Sequence, residues 1–119
     1  MLELIKPFNF IIACDSYKLN HYLEIPAGAQ YVAASIVPRK ASKFSPEIVS
    51  AGITLLCDVL SKVRISYDMI DEAEIEAHEQ GYTFNRTAWE MIVKEFDGAL
   101  PLAIYGVEEG RVVAPQTPI

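Results

Sequence analysis

Apolar positions fall into short runs whose spacing changes along the chain. Phe8 to Ala13 is a short apolar run and reads as a buried strand. Asp15 follows it, placed to cap a short helical segment from Ser16 to Leu23. Pro26-Ala27-Gly28 is a turn signal. Ala29 to Val37, rich in small and β-branched residues, reads as a second strand that Pro38 ends, with Arg39-Lys40 just beyond. Ser45-Pro46-Glu47 then supplies an N-cap, a first-turn proline and a first-turn acid. Ile48, Gly52, Leu55, Leu56, Val59, Leu60 and Val63 recur at helical spacing, so a helix is predicted from about Ser45, with Lys62 and Arg64 near its C-terminal end.

A second helix is predicted from Tyr67 to Gln80, acidic on most faces and capped by Gly81. A third starts at Asn85, carries Trp89, Ile92, Val93 and Phe96 on one face, and stops at Gly98. Beyond Pro101, Leu102 to Val107 reads as a strand. Glu108-Glu109-Gly110 reads as a hairpin turn, and Arg111 to Ala114 as the return strand. Strands, then helices, then strands favour an α+β fold, with short strands and about three helices, over strict alternation. A last hairpin strand with nothing after it leaves an uncovered edge. The chain is therefore expected to be a truncated piece of a longer gene product.

Composition narrows the classes. With 119 residues the chain is at most one domain, and at 51% hydrophobic it has material for a core, unlike a disordered tail. Sixteen acidic against ten basic residues give a net charge of -6 and no cationic stripe, which disfavours a nucleic-acid partner. No run approaches the roughly 20 apolar residues of a membrane span, and Glu3 sits where a signal peptide is basic. Cys14 and Cys57 form no CxxC or Cys/His pattern, so a zinc site is disfavoured and a cytoplasmic protein with free thiols is expected.

Asp15, Ser16, Tyr17, Lys18 and His21 lie just past an apolar run, where ligands often sit beyond strand ends. An aromatic ring there is able to stack on a flat heteroaromatic ligand, and a carboxylate to accept from an amide or hydroxyl. The plainer reading is also open: Asp15 as a helix cap, Tyr17 and Tyr22 as packing aromatics, Lys18 as a solvated charge. Arg39 follows a predicted strand, a position suited to bidentate phosphate recognition, or it belongs to an ordinary surface pair with Lys40. His78 and the carboxylates Glu72, Glu74, Glu76 and Glu79 read as a solvated helix face. The chain has no nucleophilic triad context, P-loop or GxGxxG pattern.

The stretch from Phe8 to Tyr22 resembles the start of nicotinamide phosphoribosyltransferase, a family that opens with an apolar strand and an Asp-Ser-Tyr-Lys-x-x-His-Tyr signature, here Asp15-Ser16-Tyr17-Lys18-Leu19-Asn20-His21-Tyr22. The likeness continues through Pro26 to Arg39 and weakens in the first long helix. It returns at Phe84-Asn85, Trp89 and Phe96-Asp97-Gly98-Ala99-Leu100-Pro101, and closes with Val107-Glu108-Glu109-Gly110. The related nicotinate phosphoribosyltransferase has a similar but shorter Tyr-Lys opening.

The resemblance implies that residues 1–119 are the small N-terminal domain of a type II phosphoribosyltransferase, ending before a catalytic barrel-like domain. It implies an NAD-salvage reaction in which nicotinamide and phosphoribosyl pyrophosphate give nicotinamide mononucleotide and pyrophosphate, with magnesium assisting. The family's sites lie at a homodimer interface. Tyr17 matches the tyrosine that stacks on the nicotinamide ring from across it, Asp15 an acid near that ring, and Arg39 an arginine that reaches the phosphate. Around Arg39 the family usually shows Phe-Glu-x-Arg, where this chain reads Ile36-Val37-Pro38-Arg39. The other ring-stacking aromatic, the catalytic aspartates, the phosphorylatable histidine and most phosphate ligands lie far downstream in the family. No catalytic residue or bound metal is therefore expected in this chain, and alone it is expected to be inactive. The alternatives are a stand-alone, non-catalytic binding or dimerisation module, or part of a nicotinate phosphoribosyltransferase.

Overall fold

The computed structural model describes residues 8–119. In chain order the elements are a 3₁₀ turn (Phe10–Ile12), a 3₁₀ segment (Ser16–Glu24), strand β1 (Ile48–Val49), helices α1 (Ile53–Lys62), α2 (Tyr67–Glu79) and α3 (Arg86–Phe96), and strand β2 (Val112–Val113). They divide into two units. One comprises the chain up to Gly28 with Lys62–Pro101, the other Ala29–Ser61 with Leu102–Ile119. Helices and a short antiparallel sheet make this a small α+β fold, as expected. Among the described residues no helix is long and apolar enough to cross a membrane.

In the first unit the local signals of the sequence are obeyed closely. The Ser66 hydroxyl accepts from the Met69 N–H at 3.3 Å and opens α2. Ile70, Ala73 and Ala77, spaced three and four apart, form the buried face of α2, while its many acids point outward. The helix ends in a Schellman motif. The Tyr82 N–H donates to Ala77 O at 2.8 Å, the Gly81 N–H donates to His78 O at 3.0 Å, and Gly81 takes φ +80°. Asn85 opens α3 by accepting from the Ala88 N–H at 3.3 Å. Trp89, Ile92 and Val93 then pack against a core of Ile11, Val63, Ile65, Ile70 and Ala73. Phe96, expected on the same face, stays largely exposed.

The turn after α3 is built on close backbone approach. Asp97 (φ 52°) and Gly98 (φ 74°) are both left-handed, and Gly98 O accepts from the Ile65 N–H at 2.8 Å. A Cβ on Gly98 would run into the Ile65 carbonyl, so glycine is required for its φ and for space. The first turn of α3 is tied to α2 by Arg86, which reaches Asp71 at 2.8 Å, Glu74 at 2.7 Å and Glu90 at 2.8 Å. Three of the four acids expected only to be solvated have a side-chain partner, Glu76 through the Gln80 amide. Glu74 is in the network and Glu72 accepts from Asn9.

Phe8–Ala13 is not the expected strand. The Asn9 Oδ1 accepts from the Ile11 N–H at 3.0 Å and bends the chain into a 3₁₀ turn. The Asn9 Nδ2 donates to Met69 O at 2.8 Å and to the Glu72 carboxylate at 2.9 Å, so this buried amide is anchored on α2. Ile11 enters the core from that turn.

In the second unit, pairing between distant segments overrides the local pattern. Ile48 and Val49, read as helix, pair antiparallel with Val113 and Val112. Backbone bonds from Ser50 N–H to Arg111 O (2.8 Å) and from Gly110 N–H to Ser50 O (2.7 Å) extend the ladder. The Ser45 hydroxyl does accept from the Glu47 N–H at 3.1 Å, a local turn that resembles a helix cap without starting a helix. Gly52, at φ +95°, separates strand from helix. The helix therefore begins at Ile53, several residues later than the periodicity predicts.

The turn at Glu108–Gly110 forms as read, with Arg111 N–H donating to Glu108 O at 3.1 Å and Gly110 at φ +81°. It does not return onto Leu102–Val107, because β2 takes β1 as its partner. Leu102–Val107 and Ala29–Val37 consequently carry no regular secondary structure. The Ile36 and Pro38 carbonyls instead accept single bonds from Ile119 N–H (3.1 Å) and Gln116 N–H (2.8 Å). Val113 and Ser50 are the buried side chains of this unit among the described residues, and Tyr31, Phe44 and Tyr105 are each more than four-fifths exposed.

Glu109 caps α1 from outside the helix. Its carboxylate accepts from the Thr54 N–H (3.2 Å), the Thr54 hydroxyl (3.1 Å) and the Gly52 N–H. These backbone donors hold its carboxyl below the usual value of 4.5.

Replacing Gly98→Ala is expected to lower the unfolding free energy by at least about 1 kcal/mol, measured by urea titration, because the left-handed φ and the Ile65 contact both oppose a methyl group. A pH effect follows from Glu109. Its folded pKa lies below its unfolded one, so the stabilisation is fully present above the ordinary carboxylate range and is lost as pH falls through the folded value. The protection of the Thr54 amide, its exchange rate relative to the intrinsic rate at the same pH, should fall on acidification in the wild type. In Glu109→Gln it should lose that pH dependence.

Candidate functional site

The acidic, aromatic and basic residues singled out in the sequence come together on the 3₁₀ segment Ser16–Glu24. Asp15 holds the N-cap position in extended conformation, yet its side chain caps nothing. Its carboxylate instead accepts from the Tyr17 hydroxyl at 3.1 Å and sits 3.8 Å from the Lys18 ammonium. The plain helix-cap reading of Asp15 is thereby replaced by a side-chain cluster. The Tyr17 and His21 rings lie 5.6 Å apart between centroids, tilted by 52°. Asp15, Tyr17, Lys18 and His21 are exposed, and Tyr17 presents about half of its surface (51%) to solvent.

The three-residue period of the helix explains which side chains face out. Ser16, Leu19 and Tyr22 align on the inner side and are half-buried, with Leu19 packed on the core. Tyr22 is therefore neither a simple packing aromatic nor a free one. Its hydroxyl donates to Thr83 Oγ1 at 2.9 Å, while the Asn20 Oδ1 accepts from the Thr83 N–H (3.0 Å) and the Thr83 hydroxyl (2.9 Å). Thr83 lies in the connection between α2 and α3. Nothing in the sequence marks it, because its partners are 61 and 63 residues away.

Chemically, an exposed phenol ring with a carboxylate and an ammonium at its edge suits a flat, polar heteroaromatic ligand. A phenol that donates to a carboxylate keeps its ring electron-rich, which favours a ring bearing positive charge on its face. Arg39 belongs to the second unit. It is exposed, and the backbone carbonyl just before it, on Pro38, is held by Gln116. The dense charge cluster of Arg86, Asp71, Glu74, Glu90 and Lys94 reads differently. Its hydrogen-bonded carboxylates hold the Arg86 guanidinium well above its ordinary value, and Lys94 with Arg86 holds Glu90 low, so the charges compensate each other. It is a brace between helices. Among the described residues no group of three or more His, Cys, Asp or Glu side chains stands close enough to hold a metal ion, and Cys14 and Cys57 are free thiols.

The chain is similar in sequence to known proteins. A nicotinamide phosphoribosyltransferase of Xanthomonas campestris pv. campestris (strain 8004) is 28% identical over 105 residues, covering 88% of this chain and 22% of the relative. The chain thus spans about a fifth of the length of that curated relative. The family model described as the N-terminal domain of nicotinamide phosphoribosyltransferase matches residues 9–104, a span that takes in the 3₁₀ segment, Thr83 and all three α-helices. By that match the chain belongs to the nicotinamide phosphoribosyltransferase N-terminal domain family.

Proposed function

We propose that this chain is the N-terminal portion of an NAD-salvage enzyme that transfers phosphoribosyl from phosphoribosyl pyrophosphate to nicotinamide. The products are nicotinamide mononucleotide and pyrophosphate. The observation that carries this reading is the exposed Asp15–Tyr17–Lys18–His21 cluster lying inside the span matched by the family. The residues have distinct roles in it. Tyr17 stacks on the pyridine ring. Asp15 holds the Tyr17 hydroxyl and offers its remaining lone pairs to the carboxamide. Arg39 engages a phosphate with two parallel N–H donors.

The reaction asks for such groups. Breaking the glycosidic bond to pyrophosphate builds positive charge on the sugar, and the product ring is a pyridinium. A tyrosine face is more attractive to that cation than to neutral nicotinamide, so stacking favours the charged end of the reaction. We assign this chain recognition and no bond-making step. In the complete protein we place magnesium with the pyrophosphate oxygens, a homodimer in which Tyr17 serves the partner's site, and a cytoplasmic location.

Two measurements test the reading. In the full-length protein, Tyr17→Ala should raise the nicotinamide KM by about tenfold, the size expected for losing one ring-stacking contact with the neutral substrate. Unchanged steady-state kinetics would refute the stacking role, and turnover of nicotinate in place of nicotinamide would reassign the substrate. The isolated 119-residue chain should form no nicotinamide mononucleotide from the two substrates. Product formation by it would overturn the division between recognition here and chemistry elsewhere.

A further inference from the structure

We infer that Thr83 is a positioning residue for the candidate site. It clamps the 3₁₀ segment through Asn20 and Tyr22 and so fixes the direction in which the Tyr17 ring faces. The inference rests on the substrate-recognition role proposed for Tyr17.

The 3₁₀ segment is nine residues long, Ser16–Glu24, whereas such helices rarely exceed three or four because their hydrogen bonds are poorly aligned. It also lacks the usual terminal support, since the Asp15 side chain makes no capping bond and is engaged with Tyr17 and Lys18. Its backbone therefore needs holding from outside. Two contacts do so. Leu19 packs on the core, which sets depth but leaves the segment able to roll. Asn20 and Tyr22 then meet Thr83, and three hydrogen bonds of 2.9–3.0 Å lock the roll angle. Every polar atom of Thr83 that faces the segment is used. Its N–H and hydroxyl donate to Asn20 Oδ1, and its oxygen accepts from the Tyr22 hydroxyl.

The anchor point itself is rigid. Thr83 follows directly on the Schellman motif of Gly81 and Tyr82 and precedes the Asn85 cap of α3 by two residues. The clamp thus transfers the position of the α2–α3 connection to the segment. Tyr17, three residues before Asn20, lies on the same 3₁₀ row, so a roll about the axis that frees Asn20 swings the Tyr17 ring by the same angle.

The test uses the full-length protein with Thr83→Val, which keeps the shape and the backbone N–H but removes the hydroxyl, and Thr83→Ser, which keeps the hydroxyl. Thr83 is exposed, so neither change threatens the core. Amide exchange across residues 18–24 should quicken at least about threefold in Thr83→Val, leave α2 and α3 unchanged, and return to the wild-type rate in Thr83→Ser. The nicotinamide KM should rise about three- to tenfold in Thr83→Val with kcat and the phosphoribosyl pyrophosphate KM within about twofold, as expected for losing one or two hydrogen bonds. In a Tyr17→Ala background, Thr83→Val should add no further KM change, because both act through one ring. Unchanged exchange in Thr83→Val overturns the clamp, whatever Tyr17 does. Quickened exchange with a KM effect that adds to that of Tyr17→Ala, or that Thr83→Ser fails to restore, overturns the positioning role. If Tyr17→Ala alone leaves the nicotinamide KM unchanged while exchange responds as expected, it is the proposed recognition role of Tyr17 that fails, and with it the link from clamp to substrate.

Discussion

The single apolar stripe of α2, made of Ile70, Ala73 and Ala77, is what the first unit is arranged to cover. Burying an isoleucine is worth about 1.5–3 kcal/mol, and an alanine methyl about 0.8. The stripe is therefore too poor in area to specify neighbours by hydrophobicity alone. Ile11 of the first 3₁₀ turn joins Ile70 and Ala73 in the core, so that turn lies close against α2. That closeness brings Asn9 within reach of the Met69 carbonyl and the Glu72 carboxylate, and the buried amide then decides where the first 3₁₀ turn sits. With that turn placed, Ile11 enters the core and the chain leaves toward the 3₁₀ segment from a fixed point. The candidate site is thus two steps removed from the buried face of α2.

Which elements could be read from the sequence follows from how far apart their determinants lie. Helices α2 and α3 were legible because their signals are local: Ser66 and Asn85 cap, Gly81 and Gly98 stop, and the apolar spacing lies between. The first unit's opening was misread as a strand because an asparagine inside an apolar run counts against helix or strand only when its partners are known, and those partners lie 60 and 63 residues on. Ile48 and Val49 fit a helical stripe equally well as sequence. Only their pairing with Val112 and Val113, and the Glu109 cap that lets α1 start late, show otherwise. The Asp15–His21 cluster was legible for the opposite reason. Its members are neighbours in the chain, so any short-period helix gathers them. Thr83, which supports the cluster, is distant and chemically ordinary, and no local pattern distinguishes it from other surface threonines.

The two units differ in how they support what they carry. The first, which carries the exposed aromatic cluster, has a core, two well-capped helices and an ion-paired brace between them. The second carries Arg39 on a stretch without regular secondary structure, held by isolated backbone bonds, and buries little apolar surface beneath it. Recognition of a flat ring tolerates little angular error, because stacking depends on the plane of the ring. Recognition of a phosphate tolerates more, since several oxygens and several N–H groups offer alternative pairings. The better-supported scaffold carries Tyr17, for which the more demanding contact is proposed.

A recognition residue at this site must be exposed enough to meet a ligand and fixed enough to meet it at one angle. The 3₁₀ geometry satisfies both. With three residues per turn, Ser16, Leu19 and Tyr22 stay in register on the inner side along the whole segment, and Lys18 and His21 stay in register outside. In an α-helix each step of three residues falls about 60° short of a full turn. Over the same length, Tyr22 would then rotate away from Thr83 while Leu19 remained on the core. The strained helix type is therefore consistent with the use proposed for it. Its poor internal hydrogen bonding is offset by outside contacts at Leu19, Asn20 and Tyr22, and those same contacts give the exposed ring its orientation.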